Sequence, residues 1–353
     1  MNLAKVLQKT FTNMDIISAI SSTLLIILLG FILRKKGIFD GKFGKMMTKV
    51  VLSVSLPALA FNSFMVPIDE KTLQHGINVL IFGIIIYIVL ILVTPLLYLN
   101  YSDRDKRTVL SVLTTFGSTT FFGIPIVSAI YGPKGTMYAS IFNIGYRIFL
   151  YSYAYIVMSG LKMDKKNVKQ MFLNPVVLAT FLGLILWIIQ PYMPQIGGID
   201  PTTKAAVNVA FYRIDVTAPW LFKPLTYLAS LSSPLAWLAI GSTLGEISIK
   251  DAARNKTSWY YTFMKTVIVP LITFVLLFVL KITNIMPVDL VALATMIIMM
   301  ATPTAAVVSS YAIGFDREAV MTSNASFLST LGAVIMIPIW IVIISIVGSA
   351  GIF

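Results

Sequence analysis

The sequence predicts an all-α membrane protein of ten transmembrane helices arranged as a five-plus-five inverted repeat, and three observations predict it. Long apolar runs follow one another across short polar gaps. Lys and Arg gather in alternate gaps. Two runs carry a proline at matching places about half a chain apart: Pro125, after Thr119-Thr120-Phe121-Phe122-Gly123-Ile124, and Pro303, within Ala301-Thr302-Pro303-Thr304. Hydrophobic residues make up 58% and charged residues 12% of the 353 positions, which excludes an ordinary soluble enzyme.

Apolar runs of roughly 18 residues or more are long enough to cross hydrocarbon. In order they are 16–33, 46–64, 77–98, 108–131, 136–161, 172–189, 225–244, 259–280, 288–313 and 319–347. The first follows a mixed polar start without a cleavable signal pattern, and it ends at Arg34-Lys35-Lys36. The second holds Ser55-Leu56-Pro57-Ala58-Leu59, and the third ends on Tyr98, an interfacial anchor. Only the Gly-Pro-Lys-Gly turn at 132–135 separates the fourth from the fifth. The sixth opens at Asn174-Pro175. The seventh carries Ser232-Ser233-Pro234-Leu235-Ala236, which resembles the stretch in the second. Trp259 and Tyr260 anchor the eighth, Thr302-Pro303 interrupts the ninth, and the tenth carries Ser323, Ser326 and Thr330 on one face.

The basic bias favours the gaps after odd-numbered spans. It places the Arg34-Lys35-Lys36 and Lys165-Lys166 clusters in the cytoplasm and both termini outside. The net charge of +13 is thereby a topology signal, and no nucleic-acid partner is expected. Five spans per half is an odd number, so the halves run in opposite senses across the membrane, an inverted repeat. The alternative is that proline is simply commoner in membrane helices. The gap 190–224 is the longest. Pro201 predicts a short amphipathic helix over 202–214 at the outer interface, serving either as an external lid or as a plain surface loop.

Arg147 is the sharpest single residue. It lies about ten residues into its span, roughly 15 Å deep at 1.5 Å per residue, where a guanidinium is costly and cannot deprotonate. All Asp and Glu fall in gaps or near span ends. A carboxylate substrate would supply the missing counter-charge in the forked geometry arginine favours. The alternatives are snorkelling, bonds to carbonyls released near Pro125 or Pro303, or a pair with Glu246. Ser140, Asn143, Arg147 and Tyr151 share a helix face. Paired interrupted spans are the sequence pointer to a carrier's binding site, because irregular backbone at membrane depth is tolerated only against protein or a cavity. Thr119, Thr120, Phe121, Thr302 and Thr304 therefore join the candidates, with Asn62 and Ser326 as polar groups at similar depth. The threonines equally well satisfy carbonyls beside the prolines, and Asn62 and Ser326 equally well bond between helices.

Zero cysteines and a single histidine, His75, leave no thiolate or His-rich metal site, and no metal or cofactor is expected. No P-loop, GxSxG or HExxH pattern suggests ATP drive or hydrolysis. Without intramembrane acids, uniport or proton movement on the substrate itself is the expected energetics.

Ser55-Leu56-Pro57-Ala58-Leu59-Ala60-Phe61, Phe122-Gly123-Ile124-Pro125 with Tyr131-Gly132, Asn174-Pro175 and Thr302-Pro303 together resemble the auxin efflux carrier family across nearly the whole chain. The long gap 190–224 departs from that family's usual connection and is similar to the malate permeases of lactic acid bacteria. The resemblance implies a bile-acid-symporter-like and auxin-carrier-like fold. Segments 16–65 and 172–245 would form a scaffold that homodimerises, 77–161 and 259–347 a transport core, and 190–224 an extracellular loop. Spans 4 and 9 would cross at Gly123, Pro125 and Pro303, and an elevator-like shift of the core would expose substrate alternately. The asparagines of the plant members' site do not map onto Thr119 and Thr302. The expected function is a secondary transporter in the cell membrane, surrounded by lipid and moving a small carboxylate, malate foremost. The alternatives are an efflux carrier for auxin-like aromatic or larger amphipathic acids and, from another class, a membrane anion sensor.

Overall fold

The computed structural model describes residues 14–160, 173–200, 204–246 and 254–349. Its main helices are α1 (Met14–Lys35), α2 (Phe43–Ser63), α3 (Glu70–Tyr98), α4 (Arg104–Thr115), α5 (Ile124–Phe149), α6 (Pro175–Ile189), α7 (Pro219–Gly245), α8 (Lys256–Ile282), α9 (Leu290–Met300), α10 (Ala306–Gly314) and α11 (Ala319–Ser349). Six helices among the described residues are long and apolar enough to cross a membrane alone: α2, α3, α7, α8, α11, and α6 with the turn that carries it to Tyr192. The interrupted runs 108–131 and 288–313 come instead as shorter helices meeting at a break. Acids and amides from the polar gaps start several helices. Asp69, Asp103, Asn174, Asn255 and Asp289 each accept a backbone N–H of the first turn.

Helix α5 bends sharply at Gly132, whose φ of 58° only glycine adopts cheaply, and Pro133 then restarts the helix. This is the Gly-Pro-Lys-Gly turn that divides the fourth predicted span from the fifth. The other break is not where the sequence suggested. Chain direction changes at Phe116–Ser118, several residues before Pro125, which sits harmlessly in the first turn of α5. A π turn (Thr119–Gly123) leads into that helix.

The expectation of an all-α protein fails in the gap 190–224. There β1 (Gln195–Ile199) and β2 (Ala206–Ala210) pair antiparallel, Gln195 opposite Ala210 and Ile199 opposite Ala206. The β-branched residues Ile196, Ile199, Val207 and Val209 favour extended backbone, and this overrides the helix start inferred from Pro201. Pro201 and the Lys165-Lys166 cluster lie outside the described residues. The hairpin is fastened by a buried ion pair, Arg213 Nη2 to Asp215 Oδ2 at 2.7 Å. Arg213 also donates to Gln190 Oε1, and the Gln190 amide reaches the Val66 carbonyl after α2 at 3.0 Å.

Close helix packing relies on small residues, as it must where lipid gives no hydrophobic drive for helices to associate. On α7, Gly241 and Gly245 form a small-xxx-small face against α1. A Cβ on Gly241 would stand 2.0 Å from the Ile27 carbonyl oxygen, and one on Gly30 would stand 2.4 Å from that of Leu238. Replacing Gly241 by Val should therefore force the helices apart at a cost of about 1–3 kcal/mol and lower the thermal midpoint in detergent. Gly41→Ala, whose Cβ would meet only an Arg34 nitrogen at 3.4 Å, should leave it unchanged.

Candidate functional site

The two interrupted segments meet. Ser118 N–H donates to the Pro303 carbonyl at 2.7 Å, Ala305 N–H donates to the Phe116 carbonyl at 3.0 Å, and Gly117 bridges to Thr304. The backbone groups stranded between helices thus satisfy one another, as the absence of water requires. Gly123 contributes by its size: a Cβ there would lie 2.6 Å from Met299 Sδ. The Pro125 carbonyl takes no part in the crossing and accepts the Ser233 hydroxyl of α7 at 3.0 Å.

Beside the crossing, a cavity of about 220 Å³ opens between α5 and α6. Ser140, Asn143 and Arg147 line it at three- and four-residue spacing, the helical face expected from the sequence. Val177, Thr180 and Phe181 of α6 face them, and Ile144 and Ile148 complete an apolar wall. The π turn holds the polar residues in place: Thr119 donates to Asn143 Oδ1 at 2.6 Å, and Arg147 Nη2 donates to Thr120 Oγ1 at 3.2 Å. Asn143 Nδ2 and Ser140 Oγ are buried with no protein partner. Such groups in a native fold call for a ligand or water.

Arg147 is only 7% exposed. The ion pairs among the described residues are Lys134–Asp289, Arg213–Asp215 and Arg317–Asp105, and none of them includes it. Its described hydrogen bond is to a neutral hydroxyl, and Tyr146 and Tyr151 lie beside it. A buried cation without a counter-charge is expensive, and a bound carboxylate would relieve that cost.

The remaining candidates fall elsewhere. Phe121 is half-buried in the π turn and does not line the cavity. The Thr302 hydroxyl satisfies the Met299 carbonyl at 2.7 Å, the structural role open to it from the sequence. Thr304 bonds Tyr261 and Ser329 at the crossing, and Ser326 bonds Ser309 at 2.7 Å between α11 and α10. Asn62 on α2 has a buried, unpartnered Oδ1 but is not in the cavity wall. Sequence reasoning missed the α6 wall, because nothing local marks Val177 or Phe181 as facing Arg147. It also passed over Lys265, although the criterion that found Arg147, a lone cation well inside an apolar span, applies to it equally.

Comparison with known proteins agrees with this architecture. Residues 15–341 match the family profile described as "Membrane transport protein". An uncharacterized transporter from Methanothermobacter thermautotrophicus is 22% identical over 331 residues, covering 92% of this chain and 96% of its own. Another uncharacterized transporter, from Methanocaldococcus jannaschii, is 20% identical over 235 residues, covering 64% and 68% respectively.

The clamp on the cavity is itself testable. Thr119→Val keeps the shape but leaves Asn143 Oδ1 buried and unpaired, so stability should fall by about 1–3 kcal/mol in thermal unfolding. Thr283→Val, at an exposed helix end where the hydroxyl bonds only its own helix, should fall within about 0.5 kcal/mol of the parent.

Proposed function

Because this chain belongs to the membrane transport protein family, that of the auxin efflux carriers, we propose that it is a secondary carrier for a small organic anion, malate foremost. The observation that carries the reading is Arg147, buried at a cavity wall with no carboxylate beside it among the described residues. It would hold the substrate carboxylate, with Asn143 Nδ2 and Ser140 Oγ as further hydrogen-bonding groups.

The proposed architecture has ten spans in two inverted halves. Segments 16–65 and 172–245 form the dimerising scaffold, 77–161 and 259–347 the moving core, and both termini lie outside the cell. In its favour, the cavity lies between α5 of the core segment and α6 of the scaffold segment. An elevator-like shift would slide along that seam, carrying Arg147 past a static apolar wall. Two ion pairs tie the halves of the core to each other. Lys134 meets Asp289 at 2.7 Å, and Arg317 meets Asp105 and the Met158 carbonyl. Such ties suit a body that moves as a unit.

One observation favours a second reading. Opposite its one cation the cavity offers Ile144, Ile148, Val177 and Phe181, a surface suited to the apolar body of an amphipathic monocarboxylate. A dicarboxylate would leave one charge against that wall.

Uptake of labelled malate into vesicles tests the assignment. Loss of one charge-assisted contact of about 1.5–3 kcal/mol predicts a fall of roughly 10- to 150-fold for Arg147→Ala, with Arg147→Lys intermediate. Unaltered uptake by Arg147→Ala would remove Arg147 from the site. Competition by indole-3-acetate distinguishes the amphipathic reading, and counterflow in liposomes holding only this protein distinguishes a carrier from a sensor.

A further inference from the structure

Lys265 is completely buried, nine residues into α8, at the point where α4 and α9 both end. No described ion pair includes it. Its Nζ donates to the Thr114 carbonyl at 2.9 Å. One turn earlier on the same face, the Tyr261 hydroxyl donates to the neighbouring Leu113 carbonyl at 3.1 Å. Helix α8 thereby caps two of the carbonyls that α4 leaves without an intrahelical partner at its last turn. The oxygens of Thr302, just past the end of α9, lie close by. A Cβ on Gly117 would stand 3.0 Å from Lys265 Nζ, 3.3 Å from the Thr302 carbonyl oxygen and 2.3 Å from the Thr302 hydroxyl. Gly117 therefore keeps open a small space shared by an ammonium and several oxygens.

The charges balance. Each helix C-terminus carries about half a negative elementary charge, so the converging ends of α4 and α9 amount to about one, matched by one ammonium. Half-helix C-termini and unwound carbonyls of this kind are where transporters with broken helices coordinate a coupling sodium ion. We propose that Lys265 is a tethered substitute for that ion: its ammonium occupies a carbonyl-lined cation position at the crossing and makes the fold independent of sodium. The inference goes beyond the carrier assignment and does not depend on which anion moves.

Removing the ammonium while leaving the carbonyls in place should expose a sodium site. The test compares thermal unfolding of the purified full chain in sodium chloride and in choline chloride at equal ionic strength. The parent protein and Lys265→Arg should unfold at the same temperature in both salts. Lys265→Ala and Lys265→Ser should lose about 5 °C or more in choline and recover much of it in sodium. Lys265→Met fills the volume without charge, so it should be lowered in both salts alike. Equal loss in both salts for the alanine and serine variants overturns the proposal, as does sodium stabilisation of the parent protein. It is also overturned if neither small variant can be purified even in sodium while Lys265→Arg can, because sodium then does not replace the ammonium.

Discussion

The structure depends on one constraint: a backbone that leaves helical form at membrane depth must find every hydrogen-bond partner within the protein. Helices α4 and α9 both stop short of a full crossing, and each strands donors and acceptors where water is absent. Neither segment can satisfy them alone. Phe116, Ser118, Pro303 and Ala305 trade backbone hydrogen bonds across the gap, and Tyr261, Lys265 and Thr302 take up further carbonyls. The close approach also requires glycine at 117 and 123, where any side chain would enter the opposing segment. The crossing is a mutual solution to two local deficits, and it places polar groups in the interior.

Two buried cations flank this arrangement, and their surroundings differ. Lys265 faces carbonyl oxygens at helix ends, whose partial charges offset its own. Arg147 faces a threonine hydroxyl and an open cavity. One cation thus lies among acceptors of the fold, and the other borders a cavity with no described carboxylate beside it. The two surroundings differ in this way although both are lone basic residues inside apolar runs.

The site's precision comes from the π turn at Thr119–Gly123. Its first two residues grip Asn143 and Arg147, so the irregular backbone of one segment sets the side-chain positions of the next. Glycine contacts act similarly on a larger scale. Gly145 lies so near α3 that a Cβ would stand 2.6 Å from the Gly83 carbonyl oxygen, and this presses the cavity-lining helix α5 against its neighbour. Shape and chemistry at the cavity are therefore joined through backbone proximity rather than through long side chains.

Much of this was legible in the chain itself. Apolar runs mark the helices because hydrocarbon admits little else, and the bend at Gly132 and the break at Pro303 could be read directly, whereas the break at Phe116–Ser118 falls several residues before the proline that suggested it. Arg147, with Asn143 and Ser140 on its face, followed from helical spacing. The rest required tertiary structure. The hairpin at 195–210 depended on strand pairing, which overrode a proline start signal. The sorting of the threonines, 119 and 120 toward the site and 302 toward a helix end, depended on which groups lay opposite them. The wall formed by Val177 and Phe181, and the setting of Lys265 among carbonyls of a helix some 150 residues away in sequence, depended on contacts between distant segments. Local sequence determines where a backbone can remain regular, because that is decided by neighbours along the chain. Only folding decides what meets each exposed polar group, because its partner comes from elsewhere in the chain.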